Sequence, residues 1–280
     1  MTQMGILYVV ATPIGNLNDI SNRAIEVLDS VDFIAAEDTR NTKILLERLG
    51  SDTSIRSYHE FSDTDEDDRI VQLIMQGQSV ALVSDAGTPL ISDPGYKLVR
   101  LARAKGISII PIPGASSVTA ALSVSGLPTD RFLFDGFIPN KRAAKEKYFH
   151  DLLLEGRTVV VFESTHRIED SLISLSQIFP KNRQLFIGRE ITKKFESHFL
   201  GPAGECLVWL RSSSNQKKGE FVLVIGGCDA SLIEDQRHRD AILLIDKLIN
   251  FMSTKDAVRI AKEITGAKKN ALYDAVLANK

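Results

Sequence analysis

Three stretches of this chain carry small, hydroxyl-bearing and acidic side chains just where an apolar run ends. The longest is Ser84-Asp85-Ala86-Gly87-Thr88-Pro89-Leu90-Ile91-Ser92-Asp93-Pro94-Gly95, after the apolar run 80–83. The others are Thr12-Pro13-Ile14-Gly15-Asn16, after the run 5–11, and Pro113-Gly114-Ala115-Ser116-Ser117, after the run 107–112. Glycine lets backbone approach a ligand closely, and a carboxylate such as Asp85 accepts hydrogen bonds from hydroxyl or amino groups. Together the three loops suit the holding of one small polar molecule. The pattern is not GxGxxG, since only Gly15 stands in the first loop, so a dinucleotide site is disfavoured. Any one loop alone reads equally well as an ordinary strand-to-helix connection, with Ser116 or Ser117 as a helix N-cap.

A second group of residues brings charge to the ends of apolar runs. Glu37-Asp38-Thr39-Arg40 sets two carboxylates and a guanidinium after the run 33–36, where helix capping by Asp38 or Thr39 is the simpler alternative. Glu163-Ser164-Thr165-His166-Arg167 follows the run 158–162, and Arg189-Glu190 follows 184–188. Lys217-Lys218-Gly219-Glu220 leads into the run 221–225. Residues 139–147 are locally basic, with Lys141, Arg142, Lys145 and Lys147 against Glu146. That stretch reads either as a solvated helix face or as an arm that meets phosphates. The acidic run 63–68 reads as a helix start. His59-Glu60 lacks the second half of an HExxH motif, and Cys206 and Cys228 form no CxxC pair, so no metal site is expected.

What must position these groups is an alternation of short apolar runs and helical periodicity. A run such as Val80-Ala81-Leu82-Val83 suits a strand buried in a parallel sheet. In open α/β sheets, ligands bind at the carboxyl ends of such strands. Helices are predicted through Ala24, Ile25, Val27 and Leu28, capped by Asp19 or Ser21, and through Ile44, Leu45 and Leu49, stopped by Gly50. Leu127-Pro128-Thr129-Asp130 reads as a domain boundary, after which Phe132, Phe134 and Phe137 alternate as a half-buried strand. The second half is again α/β. The tail differs. Residues 241–252 have helical spacing, a short helix runs from Thr254 to about Glu263, and Thr265-Gly266-Ala267 turns into a further helix over 269–278. This is helix-turn-helix spacing, mildly basic through Lys262, Lys268 and Lys269. A helical cap packed on the domain is the other reading.

At 280 residues, 44% hydrophobic and 25% charged, the chain suits a soluble protein of more than one domain. Its formal net charge of −2 gives no global basic field, so a nucleic-acid contact must use a local patch. Two unpaired cysteines suit a reducing cytoplasm. No apolar stretch reaches the roughly 18 residues of a membrane helix, and no signal-peptide pattern opens the chain.

As an ordered set, TPIGN with Asn18-Asp19-Ile20-Ser21, EDTR, SDAGTPLISDPG, PGASS, FESTHR, GREITK and KGEFVLVI resemble a known family. That family is the class III, tetrapyrrole-methylase-like S-adenosylmethionine-dependent methyltransferases, in the branch that acts on small-subunit ribosomal RNA. The match runs through nearly the whole chain. The resemblance implies two α/β domains, 1–115 and 116–230, with the cofactor in the cleft between them. A helical, helix-turn-helix-like extension over 231–280 completes the expected fold. The implied reaction is 2′-O-methylation of a cytidine in the decoding region of 16S rRNA. S-adenosylmethionine is the donor, the 30S subunit is the partner, and the enzyme is a cytoplasmic homodimer without metal. The implied cofactor residues are Thr12, Pro13, Ile14, Gly15, Asp85, Ala86, Gly87, Thr88, Ile91, Ala115, Ser116, Ser117, Phe162 and Glu220. Glu163 or Asp38 is expected to accept the ribose proton. Arg40, Arg167, Lys141, Arg142, Lys145 and Lys147 are expected to meet RNA. Two rivals stand beside this reading: a class III methylase of a tetrapyrrole or other small molecule, and a non-catalytic RNA-binding assembly factor.

Overall fold

The computed structural model describes residues 4–59, 64–268 and 272. The expected helix over 269–278, with Lys269, lies outside the described residues apart from Leu272, as do Glu60 and the start of the acidic run at Asp63.

The first unit alternates strands and helices: β1 (Ile6–Val10), α1 (Asn22–Ser30), β2 (Phe33–Ala36), α2 (Thr39–Leu49), β3 (Ile55–Ser57), α3 (Thr64–Met75), β4 (Val80–Val83), α4 (Tyr96–Ala104) and β5 (Ser108–Ile112). The strands form one parallel sheet in the order β3-β2-β4-β1-β5. β2 and β4 are buried along their whole length, as a sheet covered on both faces requires. Leu7, Phe33, Leu82 and Leu98 pack on one face, and Val10, Ile34, Val83 and Leu28 on the other. Each such side chain contributes about 1.5–3 kcal/mol of burial. Local chemistry sets the helix ends. Ser21, not Asp19, caps α1 by accepting from the Ala24 N–H, and Asp38 caps α2 by accepting from the Arg40 N–H. Gly50, at φ 72°, closes α2 in the left-handed region that glycine tolerates.

The second unit contains α5 (Ser117–Ser125), β6 (Phe132–Phe137), α6 (Arg142–Asp151), β7 (Thr158–Glu163), α7 (Ile168–Ile178), β8 (Gln184–Arg189), β9 (Ser197–Pro202), α8 (Ala203–Arg211) and β10 (Phe221–Ile225). Its sheet has the order β6-β7-β10-β8-β9, with β6 parallel to β7 and the remaining pairs antiparallel. Val118, Ala121 and Leu122 of α5 pack on Val160, Phe186, Val222 and Val224. The chain therefore passes from one sheet to the other at residues 113–116, and Leu127-Pro128-Thr129-Asp130 only joins α5 to β6. Phe149, Leu172, Leu175 and Leu210 cover the opposite face.

The tail begins with α9 (Ala230–Leu248) and continues with α10 (Thr254–Thr265). Ser253 caps α10 through the Asp256 N–H, and Gly266 closes it at φ 72°. Ala241, Ile245, Ala257, Val258, Ala261 and Leu272 share a small core of their own. Among the described residues, no helix is long and apolar enough to cross a membrane.

Candidate active site

The loops after β1, β4 and β5 face the ends of β7 and β8 and the start of β10 across a cavity of about 370 Å³. That volume lies within the range of small-ligand sites, about 300–1,000 Å³. A larger cavity, about 880 Å³, lies at the other end of the second sheet, beside Thr158, Gln184 and Gly226. Two of its cations are already engaged: the buried Arg183 donates to the carbonyls of Gly226, Leu152, Leu153 and Glu155, and the partly exposed Arg157 pairs with Glu155 at 2.8 Å. The smaller cleft is where the small-residue loops converge.

The three loops form one wall by bonding to each other. Thr12 and Gly87 exchange backbone hydrogen bonds of 2.8 and 3.0 Å in an isolated antiparallel bridge. Thr88 Oγ1 donates to the Ala115 carbonyl at 3.3 Å. Gly87 stands at φ 80°, and a Cβ there would approach Ile14 Cγ2 to 3.2 Å, so the backbone itself comes to the surface of the wall. Ile14, Ala86, Gly87, Thr88, Ile91, Ser116 and Ser117 line the cleft from this side, with Phe162 and Glu220 opposite. Thr12, Pro13 and Asp85 line a smaller pocket next to it, with Asn41 and Thr42. Ala115 contributes its carbonyl to Thr88, and Gly15 packs against Lys193 of the second unit. Ser116 precedes α5 without a side-chain cap bond, so the first N–H groups of α5 are left for another acceptor.

The expected acid–base and phosphate-holding side chains are placed differently. The Glu163 side chain is 0% exposed: Oε1 accepts from the Ser164 N–H at 2.7 Å and pairs with Arg167 at 2.9 Å, while Oε2 accepts from Ser171 Oγ at 2.6 Å. Arg167 also donates to Ser164 Oγ and to the Ile138 carbonyl. Glu163 lines the cleft, but its carboxylate is fully engaged within this cluster, and Arg167 stays partly exposed while holding it. Asp38 binds Arg40 through both oxygens, at 3.1 and 2.6 Å. Hydrogen bonds from Arg40 hold the Asp38 carboxyl down at about 2. The Asp38 N–H in turn donates to Asp85 Oδ1 at 2.9 Å, which ties this segment to the β4 loop. Arg40 is 87% exposed at its side chain, and Lys141, Arg142 and Lys147 are also exposed, Arg142 paired with Glu146 at 2.8 Å. Lys145 corrects the expected basic face: at 6% exposure it lies on the inner side of α6, one turn from the buried Phe149.

The cleft also holds residues that the loop composition alone does not single out. Asp93 lines it, half-buried. Burial, with the charges of Glu37 and Asp85, raises its carboxyl to about 6 against a hydrogen bond with Ser84 that lowers it. In the sequence, Asp93-Pro94-Gly95 reads as a turn. The available signal was a second carboxylate in a loop that already held Asp85. Leu90 and Ser92 precede this segment at φ 73° and 66°, and Glu190 and Thr192 on the facing lip stand at φ 52° and 67°. Such non-glycine positions cost about 1–3 kcal/mol each and cluster at functional sites. Glu190 Oε1 accepts from the Glu220 N–H and from Lys193 Nζ, and Lys193 also reaches Glu220 Oε2, each at 2.9 Å. Phe137, 55% exposed, stands in the cleft with its ring edge-on to Phe162 at 5.4 Å. Ile191 and Gly188 complete the far wall.

Comparison with known proteins agrees with this architecture. A family model for tetrapyrrole (corrin/porphyrin) methylases matches residues 6–207, and one for the RsmI C-terminal HTH domain matches residues 240–280. Curated relatives named ribosomal RNA small subunit methyltransferase I include those of Pseudomonas aeruginosa, 43% identical with 98% of this chain and 97% of the relative covered, and Xylella fastidiosa, 44% identical with 98% and 99% covered. Among solved structures, uroporphyrin-III-C-methyltransferase from Thermus thermophilus superposes with TM-score 0.55 at 19% identity, over 79% of this chain and 94% of that one. Diphthine synthase superposes with TM-score 0.60 at 15% identity, over 79% and 90%. These two structures share the fold. The first model spans the parallel sheet and most of the mixed sheet, and the second spans most of the helical tail. The chain belongs to the tetrapyrrole methylase family, in the group of the small-subunit ribosomal RNA methyltransferase I proteins.

Proposed function

We propose that this protein transfers the methyl group of S-adenosylmethionine to the 2′-hydroxyl of a cytidine ribose in the decoding region of 16S rRNA, acting as a cytoplasmic homodimer on the 30S subunit. The observation that carries this reading is the wall of three loops bonded together opposite the second sheet, in a chain whose 43–44% identical relatives bear the ribosomal RNA name.

The residues fit the cofactor. Gly87 brings backbone to the cleft surface where a side chain would fill it. Ile14, Ile91 and Phe162 offer apolar walls to an adenine ring, and the free N–H groups at the start of α5 suit a carboxylate. Asp85 is positioned for an amino or hydroxyl group beside them. When bound, the cofactor supplies a methyl group activated by a sulfonium cation. The chain's own part is to hold the acceptor hydroxyl in line, about 3 Å from that methyl, and to exclude water. Phe137 presents an exposed ring on which an extruded base stacks. Glu163 and Asp38 act as positioning residues: one, at the cleft wall, locks Arg167 and α7, and the other ties the β2 end to Asp85. Arg40, Lys141, Arg142 and Lys147 are the cations placed to neutralise phosphates.

The test is transfer from labelled S-adenosylmethionine to 30S subunits that lack the modification, with the product mapped by mass spectrometry. Label on a decoding-region cytidine ribose is expected. Cofactor binding without any label on rRNA would overturn the reading in favour of a small-molecule methylase.

A further inference from the structure

We propose that Asp93 is the residue that takes the proton from the attacking ribose hydroxyl. The inference rests on the reaction proposed above and goes beyond it by assigning the base. The carboxylates near the cleft differ in their partners. Glu163 is locked to Arg167 and Ser171, Glu220 is bonded to Lys193, and Asp38 is clamped by Arg40. Neither Asp93 nor Asp85 has a salt bridge among the described residues, but Asp85 accepts from the Asp38 N–H and lines the neighbouring pocket, whereas Asp93 lines the cleft itself. The groups that face it are Ser84 and Asp85 at the end of β4 and Glu37 at the end of β2, with His166 and Glu220 lining the same cleft from the second unit. A carboxylate set among a hydroxyl and like charges has a reason to accept a proton that the cation-paired ones lack.

The backbone holds Asp93 in place at some cost. Leu90, Ser92 and Gly95 all lie at positive φ, and a Cβ on Gly95 would stand 2.7 Å from Leu82 Cδ2. Ser92 abuts the second unit, where a Cβ on Gly136 would meet its Oγ at 3.2 Å. Two strained non-glycine residues just before one acidic residue, at a contact between the two units, are the kind of stored strain that collects at functional positions.

In the step, the ribose oxygen forms its bond to the methyl carbon while the carbon–sulfur bond breaks and its electron pair stays on sulfur. The hydroxyl proton passes to the Asp93 carboxylate, so one positive and one negative charge disappear together. Water takes the proton from Asp93 afterwards. Such proton transfer is worth about 10²–10⁴-fold in rate, and a base with a pKa just below the working pH is well matched to it.

The experiment combines three readouts on the full chain. In the protein without cofactor, carbon-13 NMR of labelled aspartate should show a carboxyl titrating near 6 that is missing in Asp93→Asn. Calorimetry with S-adenosylmethionine should give Asp93→Asn an affinity within about threefold of wild type, which also certifies its fold. Single-turnover methylation of 30S subunits should rise with pH along a limb near 6 in wild type, fall about 10²–10⁴-fold in Asp93→Asn, and lose that limb. Glu37→Gln, which removes one charge that raises Asp93, should move the limb to lower pH. Near-wild-type turnover by Asp93→Asn, or a limb unmoved by Glu37→Gln, overturns the assignment. If wild type itself places no methyl on an rRNA ribose while the carboxyl still titrates, the parent reaction has failed instead.

Discussion

Gly15 of the first unit lies directly against Lys193 of the second: a Cβ on Gly15 would stand 2.3 Å from Lys193 Cγ. The contact joins the β1 loop to a lysine that bridges Glu190 and Glu220 on the far wall. In Gly15→Ala, Lys193 must shift, which disturbs the bridge it makes to Glu190 and Glu220. We expect S-adenosylmethionine affinity to fall about tenfold, equivalent to about 1.4 kcal/mol, as measured by calorimetry. Unchanged affinity would mean the contact does not shape the cleft.

Gly87→Ala tests the wall itself. At φ 80° a Cβ is strained, and it would press on Ile14 at 3.2 Å. The left-handed conformation costs about 1–2 kcal/mol, so the melting temperature should drop by about 2–6 °C, with cofactor affinity falling further.

Glu163→Gln separates a structural carboxylate from a chemical one. Removing one member of a buried ion pair costs about 3–5 kcal/mol because the other is left uncompensated. The expected result is a large loss of thermal stability with turnover per folded molecule within about tenfold of wild type. Adding Arg167→Met should restore part of the stability, a coupling that a double-mutant cycle measures directly.

Asp93 ties stability to pH. Its folded carboxyl is raised to about 6 from an ordinary 3.8, so the native state binds more protons between those values. Stability is therefore fully present below about pH 4 and declines as pH rises through 6. Discounted for partial exposure, the loss is about 1–2 kcal/mol. Thermal melts should find Asp93→Asn more stable than wild type at pH 8 and no more stable at pH 4.

The basic face of α6 should divide by exposure. Replacing Lys141, Arg142 and Lys147 with Ala should flatten the salt dependence of rRNA binding by up to about 0.7–0.9 in slope for each phosphate that is no longer neutralised. Lys145→Met should leave the slope unchanged, because Lys145 is buried.

Strands such as β4 were legible because a short apolar run stops abruptly at Ser84, and the helix ends because Ser21, Asp38 and Gly50 act through local bonds that a sequence displays. The motif order carried the family. What stayed hidden depends on residues distant in the chain. Glu163 looked available for chemistry, and only the fold brings Ser171 and Arg167 onto both of its oxygens. Lys145 is one lysine in a basic stretch until α6 turns it inward beside Phe149. Asp93 hides inside a turn motif, and its weakened acidity comes from burial and from Glu37, more than fifty residues earlier. The strand order of the mixed sheet has no local signal at all.

That strand order has a consequence for synthesis. β10 is the last strand made, yet it sits in the middle of its sheet, between β7 and β8. Those two strands share no neighbour until Phe221–Ile225 has left the ribosome. A nascent chain therefore displays the loop-lined wall of the first unit for a long interval before the opposing wall, which needs Gly219, Glu220, Phe221 and Val222, is complete. The cleft is closed last, and any chain released before β10 is not a weaker version of this protein but one with an unfinished site.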